Sequence, residues 1–338
     1  MFQPAIASPS VGHQTVHSIT ARLEAIASQG FKLVELVEDD IVFFARDHLG
    51  GVTSATKRLA ATKIKLLCDT LHLKPFVLQP FWFYEGLEDP MEHAALISKL
   101  REWIELARIL DIQMIQIPTN WRTEGITGDL EAIVRDLTEM AEIGLEQDPP
   151  ISFAYEGVAW GTYIDTWQGT WEVVKRVNRS NFGLCLDTYH IVARVWGDPT
   201  RPGCKSPDGD QDLRKSMEEL VSEVDVNKIF YVQLSDAELL DQPLFKGHPF
   251  YREDQKPRMA WSRNARLFPW EQNQRGCLPL EPVVGAIFNA LDFRGIVSVE
   301  TFSKDLLDDS LDVPSQFAAR GMHAWNAAMQ NIQGNGIN

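Results

Sequence analysis

At 338 residues the chain is long enough to bury one large core. Its 44% hydrophobic and 23% charged residues are those of an ordinary globular protein, which excludes a disordered or fibrous class. A formal charge of −15 with no basic patch argues against nucleic acid or an anionic membrane as partner, since either would repel the surface.

Short apolar runs alternate along the chain with longer stretches of helical period. The runs at 4–8, 33–36, 76–79, 114–117, 151–156, 182–187, 229–233 and 296–300 predict strands. Between them, 91–110, 130–146, 167–177 and 282–291 repeat apolar residues every three to four positions, and a last helix is expected over 315–329. Strand and helix in strict alternation predict an all-parallel α/β sheet, and eight strands is the number that closes a (β/α)8 TIM barrel. No GxGxxG turn follows the first strand, which weighs against an open dinucleotide-binding sheet. The reading is one barrel domain over 1–338. Two segments exceed the minimal repeat: 196–212, read as a loop, and 236–278, read as a lid-like insertion over the barrel mouth.

Cys68, Cys185, Cys204 and Cys277 stand apart with no CxxC spacing, so neither a disulfide framework nor a zinc knuckle is expected. The first twenty residues lack a charged-then-apolar leader pattern, and no apolar run of about 18 residues occurs, so the expected location is the cytoplasm.

The informative pattern is where polar residues fall. The last four predicted strands end their apolar runs on Glu156, Asp187, Gln233 and Glu300. In a barrel those ends converge, and three carboxylates so close need a cation to stay ionised. An all-oxygen set favours one hard divalent ion, Mg2+ or Mn2+. His190, three residues past Asp187, can turn toward that ion as ligand, proton shuttle or brace, or be a packing residue. Glu35 and Gln79 end the second and third strands and can also reach the mouth. His17 and His248 are weaker acid–base candidates. Aromatic residues after several strands, Trp160 and Trp261 among them, suit a pocket for a ring-shaped small molecule.

Longer stretches carry a resemblance. Leu78-Gln-Pro-Phe81, Trp103-Ile-Glu-Leu-Ala107, Ile115-Gln-Ile-Pro118, Cys185-Leu-Asp-Thr188, Phe230-Tyr-Val-Gln233 and above all Arg258-Met-Ala-Trp-Ser-Arg-Asn264 are of this kind. The chain resembles, nearly end to end, the xylose-isomerase-like barrels, and among them the fungal 3-dehydroshikimate dehydratases of quinate catabolism. The resemblance implies a metal held by Glu156, Asp187, Gln233 and Glu300. It implies a lyase that removes water from 3-dehydroshikimate, through an enolate, to give protocatechuate. On the same basis His17 and His190 are expected to move protons, and Arg263 and Lys246 to hold the substrate carboxylate. There are departures at the rim: Ser8-Pro-Ser-Val-Gly12 and Glu38-Asp-Asp40 differ from the family's usual residues there. They keep open a metal-dependent sugar or hydroxyketone isomerase or epimerase, or a paralogue with another ring substrate. A homo-oligomer is compatible with all of these.

Overall fold

The computed structural model describes residues 2–334. Eight parallel strands close into one barrel: β1 Gln3–Ala7, β2 Leu33–Val37, β3 Lys74–Gln79, β4 Met114–Pro118, β5 Ser152–Glu156, β6 Phe182–Asp187, β7 Ile229–Leu234 and β8 Ile296–Val299. Each strand pairs with its sequence neighbours, and β8 closes the ring on β1, with Gln3 opposite Ile296 and Ile6 opposite Val299. The helices between them are α1 Ile19–Ser28, α2 Glu38–His48, α3 Ser54–Thr70, α4 Pro90–Ile109, α5 Leu130–Leu145, α6 Trp167–Val177, α7 Thr188–Val195, α8 Gly209–Glu223, α9 Pro257–Ala265, α10 Glu281–Val284 and α11 Val313–Gly334. None is long and apolar enough to cross a membrane.

Helix starts are written locally. Ser18, Asp89, Asp129 and Thr166 each accept a hydrogen bond from a backbone N–H of the first turn, which satisfies one of the groups a helix end leaves open. Asp187 does the same for α7 while also ending β6, so one residue serves both strand and helix.

Side chains two apart on a strand share a face, and this builds the barrel interior in layers. Leu33, Ala154, Cys185 and Tyr231 belong to a buried apolar cluster contributed from around the ring. Two positions later on those same strands come Glu35, Glu156, Asp187 and Gln233. The barrel therefore carries an apolar layer beneath a polar one, and the polar layer faces the C-terminal mouth.

The segment 236–278 is more ordered than a lid-like loop suggests. Asp236–Ala237 pairs antiparallel with Arg266–Leu267, α9 lies between them, and Ala265 bridges to Ser303 beyond β8. Glu271 takes two bonds from Arg320 of α11, at 2.7 and 2.9 Å, which ties the segment to the last helix. The stretch 196–212 is also shorter as a loop than expected. Helix α8 begins at Gly209 because Asp210 and Asp212 favour a helix N-terminus.

Candidate active site

The strand ends bring a dense cluster together. Glu156, Asp187 and His190 each offer a ligand atom within 4.8 Å of the others. Glu300 joins them through Arg266, whose Nη1 donates to Asp187 Oδ2 at 2.7 Å and to Glu300 Oε2. Gln233 lies opposite Asp187 across β6 and β7, and its Nε2 donates to Glu300 Oε1 at 3.2 Å and Glu35 Oε2 at 3.0 Å. Gln79 donates to Glu35 Oε2 at 2.9 Å. All are buried.

Four carboxyls and one guanidinium thus share a buried volume. Burial pushes Glu156 well above the ordinary carboxylate range, and Asp187 and Glu300 add repulsion. Glu300 is raised to about 7 by burial against the pull of Arg266, and Glu35 to about 8 by burial and by Glu300. Arg266 alone cannot neutralise so much charge. A divalent cation fits this donor set: Glu156 and Asp187 bring carboxylate oxygens within 4.8 Å of one another, and Gln233 and Glu300 stand on the adjoining strand ends.

These shifts have a testable sign. A carboxyl whose folded pKa is raised binds its proton more tightly in the fold, so its stabilising contribution is complete below about pH 4.5. That contribution is lost as pH climbs through about 7 and 8, the values for Glu300 and Glu35. With chelator present, the urea midpoint is expected to fall steadily from pH 5 to pH 9. A saturating divalent ion should flatten the fall. A midpoint flat across that range in chelator would show that the carboxyls do not repel one another.

His190 has a defined protonation pattern. Its Nδ1 lies 3.0 Å from the Ala159 backbone N–H, and its Nε2 lies 3.0 Å from Arg266 Nη2. Burial and the Arg266 charge push its pKa well below the ordinary value, so the ring is neutral. A neutral imidazole has a single acceptor nitrogen, so only one of the two contacts can be a hydrogen bond. The Ala159 amide is fixed by the backbone, and Nε2 is the ring nitrogen that faces the Glu156 and Asp187 carboxylates. We therefore assign Nδ1 as acceptor and Nε2 as the protonated atom, 3.7 Å from both Glu156 Oε1 and Asp187 Oδ2.

A wall of aromatic rings leads away from His190. Trp160 sits 4.8 Å from it, Trp121 lies 6.2 Å from Trp160, and Trp82 and Phe83 follow at 4.7 and 4.6 Å from Trp121. The Trp160 indole N–H is buried without a partner, which leaves a donor for a bound molecule.

Other predicted residues lie elsewhere. His17 spends its Nε2 on the Asp308 carbonyl at 2.8 Å, its one side-chain hydrogen bond among the described residues. Trp261 is wholly buried, with its N–H on the Glu238 carbonyl, so it packs the segment rather than walling a pocket. Lys246 is exposed, and His248 stacks on Phe250 and caps its N–H. Arg263 is exposed on α9, while Arg266, at that helix's end, enters the cluster. The residues missed from sequence are Arg266, Lys256, which donates to the Trp160 carbonyl at 3.0 Å, and Gln116, which donates to Glu156 Oε2 at 2.6 Å. The alternation of Gln116 with apolar neighbours on β4 was a signal for the last.

The family described as xylose isomerase-like TIM barrel matches residues 23–325. The chain is 40% identical over 97% of its length to a Neurospora crassa protein named 3-dehydroshikimate dehydratase, and covers 94% of it. A Pseudomonas aeruginosa protein of the same name is 28% identical over 85% of this chain, which spans 36% of that longer protein. Among solved structures, the IOLI protein with a bound zinc atom superposes with a TM-score of 0.69 at 18% identity, over 99% of both chains; this likeness is one of fold.

Proposed function

The chain belongs to the xylose isomerase-like TIM barrel family, and from that premise we propose that it is a divalent-metal-dependent dehydratase converting 3-dehydroshikimate to protocatechuate. The observation that carries this reading is the end-to-end likeness to the Neurospora crassa dehydratase. The buried carboxyl cluster beside an aromatic wall supports it, because the reaction needs a place for charge next to a place for a ring.

Glu156, Asp187, Gln233 and Glu300 would hold the ion, and their oxygen-rich set favours Mg2+ or Mn2+. When bound, such an ion supplies Lewis acidity at the ring ketone, which makes the neighbouring C–H easier to deprotonate. The residues of the chain do the rest. His190 keeps a proton on Nε2 at neutral pH, held there by the Ala159 N–H on its other nitrogen. It is thereby suited to offer a hydrogen bond to the departing hydroxyl, as a neutral imidazole does without giving up its proton. Trp160 lays its ring beside the site, and Trp121 packs against Trp160. Arg266 is occupied by Asp187 and Glu300, so it orients the carboxylates rather than gripping substrate.

The direct test is to incubate the purified protein with 3-dehydroshikimate and Mn2+ and follow the catechol absorbance. Growth of that absorbance, abolished by chelator, is the expected result. A product that is an epimer or isomer without catechol absorbance would replace this reading with an isomerase. In the same assay His190→Asn should lower kcat on the order of 10²–10⁴-fold with metal affinity nearly unchanged. If that variant instead loses the ion, His190 is a ligand and not a hydrogen-bond donor to substrate.

A further inference from the structure

Glu85 is a deeply buried carboxyl at the barrel mouth that stands outside the strand-end cluster. It lies in the loop after β3 and is 3% exposed. Its Oε1 accepts from the Asn120 backbone N–H at 2.7 Å and from the Tyr155 hydroxyl at 3.1 Å. Its own carbonyl accepts from Asn120 Nδ2 at 3.0 Å. Its Oε2 is buried with no partner, and the residue lines a cavity of about 10 Å3 with Asn120, Thr127, Tyr163 and Ile164. That is room for about one water.

The partners of Glu85 come from separate elements: Asn120 from the loop after β4 and Tyr155 from β5 itself. Asn120 follows β4, and its carbonyl accepts from Thr162 N, in the loop after β5, at 3.0 Å. Next along the chain, Gly86 donates to Asp136 of α5 at 2.9 Å and accepts from Thr127 N at 2.8 Å. Its φ is +74°, and a Cβ there would sit 2.9 Å from the Thr127 carbonyl, so only glycine permits this approach. The same three loops carry Trp82 and Phe83, Trp121, and Trp160. One carboxyl is thus the knot where the loops of the aromatic wall meet. Burial holds it at about 7, against the pull of the Asn120 and Tyr155 bonds, so it is not a free surface acid.

We propose that Glu85 is a positioning residue for substrate: its carboxyl ties the loops after β3 and β4 to β5, and through Asn120 to the loop after β5, in the arrangement that sets Trp160 beside His190 and Trp121 against Trp160. The proposal rests on the dehydratase reading only in naming the ring that meets the wall. Glu85 touches none of the carboxylates at the strand ends through a hydrogen bond, so its loss should separate binding from chemistry.

The test compares Glu85→Ala, Glu85→Gln and Tyr155→Phe with the wild-type protein. Glu85→Ala is expected to raise KM for 3-dehydroshikimate on the order of tenfold or more, with kcat changed little, since misplaced contacts cost binding geometry. Mn2+ affinity should hold within about twofold, because the metal's residues are untouched. Indole bands in the near-ultraviolet circular dichroism should shift, and acrylamide should quench tryptophan fluorescence more readily. Glu85→Gln keeps an acceptor in place and should restore most of both readings. Tyr155→Phe withdraws one donor without opening a hole, and it carries the same comparison if the alanine variant does not fold. Wild-type KM and wild-type indole spectra in the alanine and phenylalanine variants would overturn the proposal, as would loss of Mn2+ binding at unchanged KM. If the wild-type protein does not turn over 3-dehydroshikimate, the dehydratase reading fails, while the spectra and quenching still decide the role of Glu85.

Discussion

Glu156→Gln is expected to lower kcat by roughly 10³-fold or more while leaving a folded protein. The change keeps the shape and volume of the side chain but withdraws one negative charge from the point where Asp187 and His190 converge. A ligand lost from a metal site removes several kcal/mol of transition-state charge stabilisation, and each 1.36 kcal/mol is about tenfold in rate. Folding should survive, because Glu156 in the fold already bears the cost of burial and of two neighbouring carboxylates. The measurements are turnover with saturating Mn2+, a Mn2+ titration and a thermal melt. Wild-type kcat and wild-type Mn2+ affinity together would remove Glu156 from the metal site. An unfolded variant would make the residue structural.

Arg266→Leu should have the largest effect on stability. The guanidinium is 1% exposed and donates to Asp187 and Glu300, so its removal leaves two buried carboxylates facing each other uncompensated. Breaking a buried pair from one side typically costs about 3–5 kcal/mol. Packing adds to this, since the guanidinium also lies over the Tyr189 and Phe302 rings at 4.5 and 5.0 Å. Chemical unfolding in chelator is the measurement, and saturating divalent ion should recover part of the loss by supplying another cation. A variant as stable as the wild type in chelator would show that the carboxyls are protonated and need no counter-ion. Arg266→Lys should recover only part of the stability, because a single ammonium cannot reproduce the planar fork.

The strands were legible because fully buried parallel strands read as plain apolar runs. Each predicted run falls within two residues of the observed strand, and 182–187 coincides with β6. The same runs gave Glu156, Asp187, Gln233 and Glu300, since a polar residue closing an apolar strand has few places to point other than the mouth. Arg266 was not readable in this way. It is delivered by a two-residue pairing of Arg266–Leu267 with Asp236–Ala237, which no periodicity announces. Sequence reasoning picked Arg263 from the same motif, but α9 runs Pro257–Ala265 and leaves Arg263 exposed while the chain turns Arg266 inward. Lys246 and Lys256 differ for a similar reason: which basic residue of an irregular loop comes back over the rim depends on contacts far along the chain. Glu85 gave no signal, because a glutamate beside Gly86 in a turn reads as solvated until its loop meets Asn120 and Tyr155.

The ring closure of β8 on β1 also sets how this protein can be made. Until Ile296–Val299 leaves the ribosome, both Gln3–Ala7 and Ile229–Leu234 present unpaired backbone along one side. Roughly 60 residues separate the end of β7 from β8, and at about 5–20 residues per second that interval lasts several seconds. Through it the nascent sheet offers two sticky borders to any other extended strand. A stop or a cleavage ahead of residue 296 would therefore yield a chain prone to pair with its own copies, and its loss from the cell would come by aggregation before any question of catalysis arose.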